Sequence, residues 1–288
     1  MDSLPQQPRA LGILAGGGHL PFQVAAAARA AGRAVFVVGL EGFVDPTLLP
    51  PWPHEIIRMG AAGRMLSALR AHGCQDIVLI GPVRRPGFRD LRPDGEGTKI
   101  LARIGRAIFA GDDGILAAVI KIFGEEGFRV IGAHELLHEA LAPAGLLTRL
   151  APDATAMADI ERGIAVARAL GAVDVGQGCV VQQGFVLAVE AVEGTDAMLG
   201  RCAPLARSGP GGVLVKLVKP GQDRRADLPT LGAGTVAAAA AAGLRGIAFE
   251  AGGAILVDRA ATVAAADKAG LFLLGLTPEQ ITQGSPSL

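Results

Sequence analysis

What most narrows the fold is an alternation of two kinds of stretch along the first half of the chain. Apolar, often β-branched runs at 11–15, 34–38, 76–80 and 128–131 alternate with alanine-rich or helix-patterned stretches at 21–31, 61–71, 99–110, 114–123 and 133–141. Short unbroken apolar runs suit strands covered on both faces. Strand–helix alternation feeds a parallel sheet through right-handed crossovers. Pro21 supports a helix start, because the missing N–H of proline costs nothing in a first turn. The sequence therefore predicts an α/β domain with a parallel sheet over residues 1–141.

Residues 142–151 (APAGLLTRLA) carry proline and glycine without a clear period and read as a linker. Beyond it, 152–288 reads as a second, mixed α/β domain. Its predicted helices lie at 156–170, 195–203, 235–242 and 260–269. Its predicted strands lie at 179–181, 185–190, 213–218, 246–249, 254–257 and 271–274. No repeat relates the two halves.

Composition removes several function classes. The 27 Lys plus Arg cancel the 27 Asp plus Glu, and aromatic residues make up 4%. A nucleic-acid partner needs a surplus of cations or a stacking platform, and neither is present. Hydrophobic residues reach 50%, which raises the question of a membrane span. The uncharged stretch 228–244 is interrupted by Pro229 and three glycines, and 10–28 is broken by Gly16, Gly17, Gly18 and Pro21. A spanning helix wants about 20 strongly apolar residues, and a signal peptide wants a basic start and an unbroken apolar centre. A soluble, cytoplasmic chain is expected. Cys74, Cys179 and Cys202 are odd in number and widely spaced, which suits buried thiols in a reducing compartment.

Several loops carry candidate chemistry. Gly16-Gly17-Gly18 follows the first predicted strand, where glycines let backbone approach a phosphate at a helix start. The dinucleotide pattern G-x-G-x-x-G is not met, since Pro21 stands where its last glycine would be. The loop from Gly81 through Arg84, Arg85 and Pro86 follows the third strand, at an edge where open α/β sheets bind ligands. Gly111-Asp112-Asp113-Gly114 reads as a turn between two helices. Glu190, Glu193, Thr195 and Asp196 cluster where a strand gives way to a helix.

The densest cluster runs from Lys216 and Lys219 through Gln222, Asp223, Arg224 and Arg225 to Asp227. Its aspartates suit a hard cation, and its cations suit charge on phosphoryl oxygens. A different chemistry is offered by His134-Glu135-Leu136-Leu137-His138, which satisfies the H-E-x-x-H pattern of zinc metallohydrolases. On a helix it would put two imidazoles one turn apart, with Glu135 as general base. It still needs a third ligand, for which Glu139 and Glu161 are the nearby acids.

Taken in order, these stretches resemble one family, the UDP-2,3-diacylglucosamine pyrophosphatases of the LpxI type in bacterial lipid A synthesis. The resemblance rests on GILAGGG-x-LP (12–21), GPVRRP (81–86), GDDGIL (111–116) and EEGFRVIGAHE (125–135). It continues through DVGQG (174–178), VLAVEAVEGTDAML (186–199) and VKPGQDRRADLPTLG (218–232). The resemblance implies a Rossmann-like N-terminal domain and a distinctive C-terminal catalytic domain. It further implies a cytoplasmic, magnesium-dependent homodimer that hydrolyses UDP-2,3-diacylglucosamine to 2,3-diacylglucosamine 1-phosphate (lipid X) and UMP. The family's essential carboxylate, directly before Leu-Pro-Thr, falls on Asp227. Asp223 takes a supporting metal role.

On this reading Asp227 anchors Mg2+ or orients water, with Asp223 and Asp196 nearby. Lys216, Lys219, Gln222 and Thr195 bind substrate, and Gly17, Gly18 and Gly81 meet the nucleotide or its phosphates. A lipid substrate brings an expectation of peripheral contact with the inner membrane surface. Two other readings stay open: a zinc metallohydrolase using the His134–His138 motif, and a non-catalytic protein that binds a nucleotide-sugar lipid.

Overall fold

The computed structural model describes residues 8–83, 92–104, 111–225 and 228–284. They divide into two compact units. The first holds the described residues up to 138 together with 223–225, and the second holds 139–222 and 228–284.

In the first unit the order is β1 (Leu11–Ala15), α1 (Leu20–Ala30), β2 (Val35–Leu40), β3 (His54–Ile57), α2 (Ala62–Ala71) and β4 (Asp76–Ile80). Then follow α3 (Gly95–Ile104), α4 (Gly111–Glu125) and β5 (Arg129–Val130). The strands form one parallel sheet in the order β3-β2-β1-β4-β5. This is the Rossmann-like doubly wound order, in which the winding reverses between β1 and β4. Leu14, Phe36, Val38, Leu40 and Ile77 pack with Met65, Leu66 and Leu69 of α2 and with Phe123. Residues of opposite parity on the strands, Leu11, Ile13, Val37 and Val78, are buried as well. Both faces are covered, which is why the strands read as unbroken apolar runs.

Three local readings of the first half change. β3 has no strand-like signature, because Pro51 and Pro53 precede it and only Ile57 of its four residues is buried. It is a sheet edge held by pairing with β2. The Gly111–Gly114 stretch opens α4 instead of forming a turn between helices. The helix expected at 133–141 is absent: Ala133–Glu135 and His138–Ala140 are separate single 3₁₀ turns.

The amino edge of this sheet is pinned by one buried acid. Asp76, 1% exposed at the start of β4, receives Nε and Nη2 of Arg129, both at 2.9 Å, and Nη2 of Arg33 at 2.5 Å. Burial alone would raise its pKa, but the hydrogen bonds and charges of Arg129 and Arg33 outweigh it and hold the carboxyl below the ordinary value.

The second unit runs β6 (Gly145–Leu146), α5 (Ala154–Ala172), β7 (Gly178–Gln182), β8 (Phe185–Val189), α6 (Gly194–Gly200), β9 (Val213–Lys216) and β10 (Thr230–Leu231). It continues with α7 (Ala233–Ala241), β11 (Gly246–Glu250), β12 (Ile255–Leu256), α8 (Arg259–Ala269), β13 (Phe272–Leu276) and α9 (Pro278–Gln283). Its main sheet is ordered β6-β13-β11-β9-β7-β8, with β13, β11 and β9 parallel and β6, β7 and β8 joined by antiparallel pairing. The stretch 142–151 is thus not a bare linker, since it contributes edge strand β6 and the Thr148 hydroxyl that accepts Leu273 N–H.

Strand parity divides this core into two layers. Cys179, Val181, Val213, Val215, Phe272 and Leu274 face Ile160, Ile164 and Ala167 of α5 and Ile281 of α9. Val180, Leu214, Ile247, Phe249 and Leu273 face Met198 and Leu199 of α6, Val236 and Ala239 of α7, and Ala266 of α8. The β7–β8 hairpin turns on Gln183 and Gly184, both at positive φ, the two-residue form that matches strand twist. Asp159 Oδ1 of α5 accepts Gly184 N–H at 2.7 Å and ties the turn to the helix layer. Cys74, Cys179 and Cys202 are free and buried as expected, and burial pushes the Cys74 thiol up to about 11 and the Cys179 thiol up to about 12. Among the described residues no helix is long and apolar enough to cross a membrane.

The Asp76 anchor makes a test of the first unit. A carboxylate whose folded pKa is depressed contributes stability above its unfolded pKa and loses it as pH falls through the folded value. Asp76→Asn is therefore expected to lose roughly 3 kcal/mol at neutral pH, the scale for breaking a buried ion pair. Its urea midpoint should also vary less with pH below about 4 than that of the wild type.

Candidate functional site

In the first unit the predicted glycines meet at the point where the winding reverses. β1 ends into Gly16-Gly17-Gly18 and β4 ends into Gly81-Pro82, so both turns leave neighbouring carboxyl ends. They are joined backbone to backbone: Gly16 N–H donates to Ile80 O at 2.8 Å and Gly17 N–H to Pro82 O at 3.0 Å. A Cβ on Gly16 would lie 2.5 Å from Gly81 O, and one on Gly81 would lie 2.6 Å from Gly17 O. Gly81 also has φ +96, a conformation that side chains rarely tolerate. Their first role is thus to let two loops close against each other. The two turns are thereby held together at the switch point, beside the start of α1, where open α/β sheets take ligands. Arg84, Arg85 and Pro86 lie outside the described residues.

In the second unit the polar side chains gather at the carboxyl ends of the parallel strands. β9 ends at Lys216 and β11 at Glu250, and Glu190 follows β8. Strand parity sends Leu214 and Lys216 to the same face, the one covered by α6. Lys216 is 7% exposed and its Nζ donates to Thr195 Oγ1 at 2.7 Å. Thr195, in the first turn of α6, donates in turn to Glu190 Oε1 at 2.8 Å. Glu190 is 5% exposed, and among the described residues its Oε2 has no hydrogen-bond partner.

The other predicted residues take different places. Lys219 Nζ lies 2.5 Å from Asp174 Oδ1. Gln222 is buried and folds back on its own loop, its Oε1 accepting Lys219 N–H at 3.1 Å. Asp196 is exposed on α6, and Glu193 pairs with Arg201. Glu250 Oε2 accepts Val218 N–H at 3.1 Å. The structure therefore joins Thr195 to Lys216 directly and adds Glu190, to which the sequence reading assigned no role. The structure shows why glycines stand at 176 and 178: they leave room for it, and a Cβ on Gly178 would lie 2.7 Å from Glu190 Oε2.

The metal readings divide. Asp223 accepts from Arg225 N–H at 3.0 Å, Nε at 2.9 Å and Nη2 at 2.6 Å. Its pKa is lowered by the Arg225 side-chain hydrogen bond above all, with burial opposing. Asp227 lies outside the described residues. Among the described residues no three His, Cys, Asp or Glu side chains converge on one point, so they do not fit a resident metal cage. A magnesium ion that arrives on a diphosphate asks less, one or two carboxylates with the phosphates completing its shell.

For zinc, the expected one-turn spacing of His134 and His138 is lost with the helix. Glu135 Oε1 accepts Gly132 N–H at 2.9 Å, which commits the proposed general base to a turn. The His134 ring folds over Gly132, with its Nδ1 buried and without a hydrogen-bond partner among the described residues.

The family models and a curated relative point to one family. The LpxI N-terminal domain model matches residues 10–140 and the LpxI C-terminal domain model matches residues 143–274. The chain is 47% identical over 278 residues to the UDP-2,3-diacylglucosamine pyrophosphatase LpxI of Caulobacter vibrioides, covering 94% of this chain and 99% of that protein. Among solved structures, a GalE-like L-threonine dehydrogenase from Cupriavidus necator is 12% identical with a TM-score of 0.33, over 96% of this chain and 89% of that one.

The closed glycine pair offers a direct check on this close approach. Gly81→Ala combines an unfavourable φ with a backbone clash and is expected to cost about 1–3 kcal/mol. Thermal unfolding should fall by several degrees, while Gly42→Ala should fall less, because φ is positive there too but nothing lies within 4 Å of the added Cβ.

Proposed function

Because the chain belongs to the LpxI family, we propose that it hydrolyses the pyrophosphate bond of UDP-2,3-diacylglucosamine, giving lipid X and UMP, in lipid A biosynthesis. The observation that carries this reading is the 47% identity, along nearly the whole of both chains, with a protein of that activity. Water oxygen bonds to the sugar-side phosphorus, the anhydride P–O bond breaks, and UMP leaves. The new oxygen stays in lipid X.

The roles follow from chemistry at the two carboxyl edges. Lys216 places a cation beside a hydroxyl at the end of a parallel strand, suited to offsetting charge that builds on phosphoryl oxygens. The Gly17–Gly18 turn and Gly81 offer backbone to the nucleotide or its phosphates. Asp227, with Asp223, is the carboxylate proposed to orient water. Magnesium, bound with the diphosphate, would supply further charge neutralisation. We propose in addition that the protein is a cytoplasmic homodimer that touches the inner membrane surface to collect its lipid.

The decisive assay supplies UDP-2,3-diacylglucosamine and magnesium to the purified protein and measures UMP. Turnover should stop with EDTA and return with magnesium, and oxygen-18 from water should appear in lipid X. Asp227→Ala should fall by roughly 10²–10⁴-fold, the range of a positioned acid–base group. A variant retaining near-full, magnesium-dependent turnover would sink that role. His138→Ala should keep its turnover; its loss, with stoichiometric zinc in the protein, would favour the zinc reading. Binding of the nucleotide-sugar lipid without release of UMP would instead point to a carrier.

A further inference from the structure

We propose that Glu190 is a positioning residue for Lys216, acting through the Thr195 hydroxyl, so that the three form one directed unit serving the phosphoryl group. The proposal rests on the hydrolase reading above. An ammonium only donates, so the Lys216–Thr195 contact at 2.7 Å fixes Thr195 Oγ1 as its acceptor. The Thr195 proton must then lie on the opposite side, on the 2.8 Å contact to Glu190 Oε1. The chain runs one way: Lys216 Nζ–H to Thr195 Oγ1, and Thr195 O–H to Glu190 Oε1.

Burial gives that direction its purpose. A carboxylate at 5% exposure is costly unless compensated, and Glu190 Oε2 has no hydrogen-bond partner among the described residues. A carboxylate in direct contact with Lys216 would satisfy the ammonium and leave less for a ligand. Here a hydroxyl stands between them. Glu190 places negative charge behind the hydroxyl, while among the described residues the donors Lys216 does not give to Thr195 remain for an anionic oxygen. Backbone fixes the arrangement: Glu190 N–H donates to Gly178 O at 2.9 Å, and Gly178 pairs with Lys216 across β7 and β9. The glycine at 178 leaves the room that Glu190 Oε2 fills. Asp196 and Glu193, the other acids of the loop, lie at exposed or Arg201-paired positions and do not share the role.

The test has one arm independent of turnover. In ¹⁵N-labelled protein, a slowly exchanging ammonium resonance is expected for Lys216, assigned by its disappearance in Lys216→Met. It should shift or broaden in Glu190→Gln, which keeps an acceptor for Thr195 but removes the charge, and in Thr195→Val. In the UMP-release assay, Glu190→Gln and Thr195→Val should each lower kcat at least tenfold with KM changed less than threefold. The double variant should be no slower than the worse single one, because both cut the same chain. Thr195→Ser, which keeps the hydroxyl, should lose at least fivefold less than Thr195→Val. An unchanged ammonium resonance in Glu190→Gln, full additivity, or equal losses for Thr195→Ser and Thr195→Val would each overturn the proposal. Should Glu190→Gln fail to fold, the two Thr195 variants carry the same comparison. If the wild type releases no UMP, the hydrolase reading fails and the resonance still decides the coupling.

Discussion

Both units obey one constraint: a parallel sheet must be covered on both faces, so polar chemistry is driven to its edges. The strands in each centre are apolar at both parities, β1, β2 and β4 in the first unit and β9, β11 and β13 in the second. No ionisable group is tolerated in the middle of such a strand without a partner. Where charged side chains are nonetheless buried on the strands, they stand at a strand end: Asp76 opens β4, Lys216 closes β9 and Glu250 closes β11. The edge on which each falls separates structure from chemistry.

At the amino edge the buried charge is saturated. Asp76 takes both oxygens to Arg129 and one to Arg33, which leaves nothing to offer a ligand. At the carboxyl edge of the second unit the balance differs. Among the described residues Glu190 keeps Oε2 without a hydrogen bond, and Lys216 reaches Oε1 through the Thr195 hydroxyl. A fold gains no stability from an orphaned acceptor, whose desolvation costs about 1–3 kcal/mol. Such a cost at the end of a parallel strand is better understood as orienting Thr195, and through it Lys216, than as holding the core together.

How much was legible in the sequence follows the same division. Central strands were readable because burial on both faces writes itself as an apolar run: β1 and β4 lie at 11–15 and 76–80, as their residues alone indicate. Two of the four edge strands of the larger sheets were not, since β3 and β6 owe their state to a neighbour and carry little apolar signal of their own, whereas β5 and β8 lie within the apolar runs at 128–131 and 185–190. The His134–His138 pattern shows the limit from the other side. Its five residues satisfy a motif, yet Gly132 and Glu135 close a tight turn that no helical spacing describes. Thr195 and Lys216 were found by residue type and by strand-end position. Glu190 was missed as a partner because three acids in one loop look alike until burial separates them.

The glycine and alanine content also has a physical reading that composition alone could not supply. Gly163 of α5 faces Val215 so closely that a Cβ would lie 2.4 Å from Val215 Cγ2, so this helix rides almost on the strand. The opposite layer is thin as well, built on Ala239 and Ala266. Small residues bring helix axes near the sheet, and the side chains at the sheet's end then decide what is covered. Met198 and Leu199 seal the face under α6, while Thr195, one turn earlier on the same helix, reaches the end of β9. One short helix thereby closes the core with its last turn and holds the Lys216 ammonium with its first. A shift of α6 along the sheet would disturb both, which couples the packing of this layer to the charge at its edge.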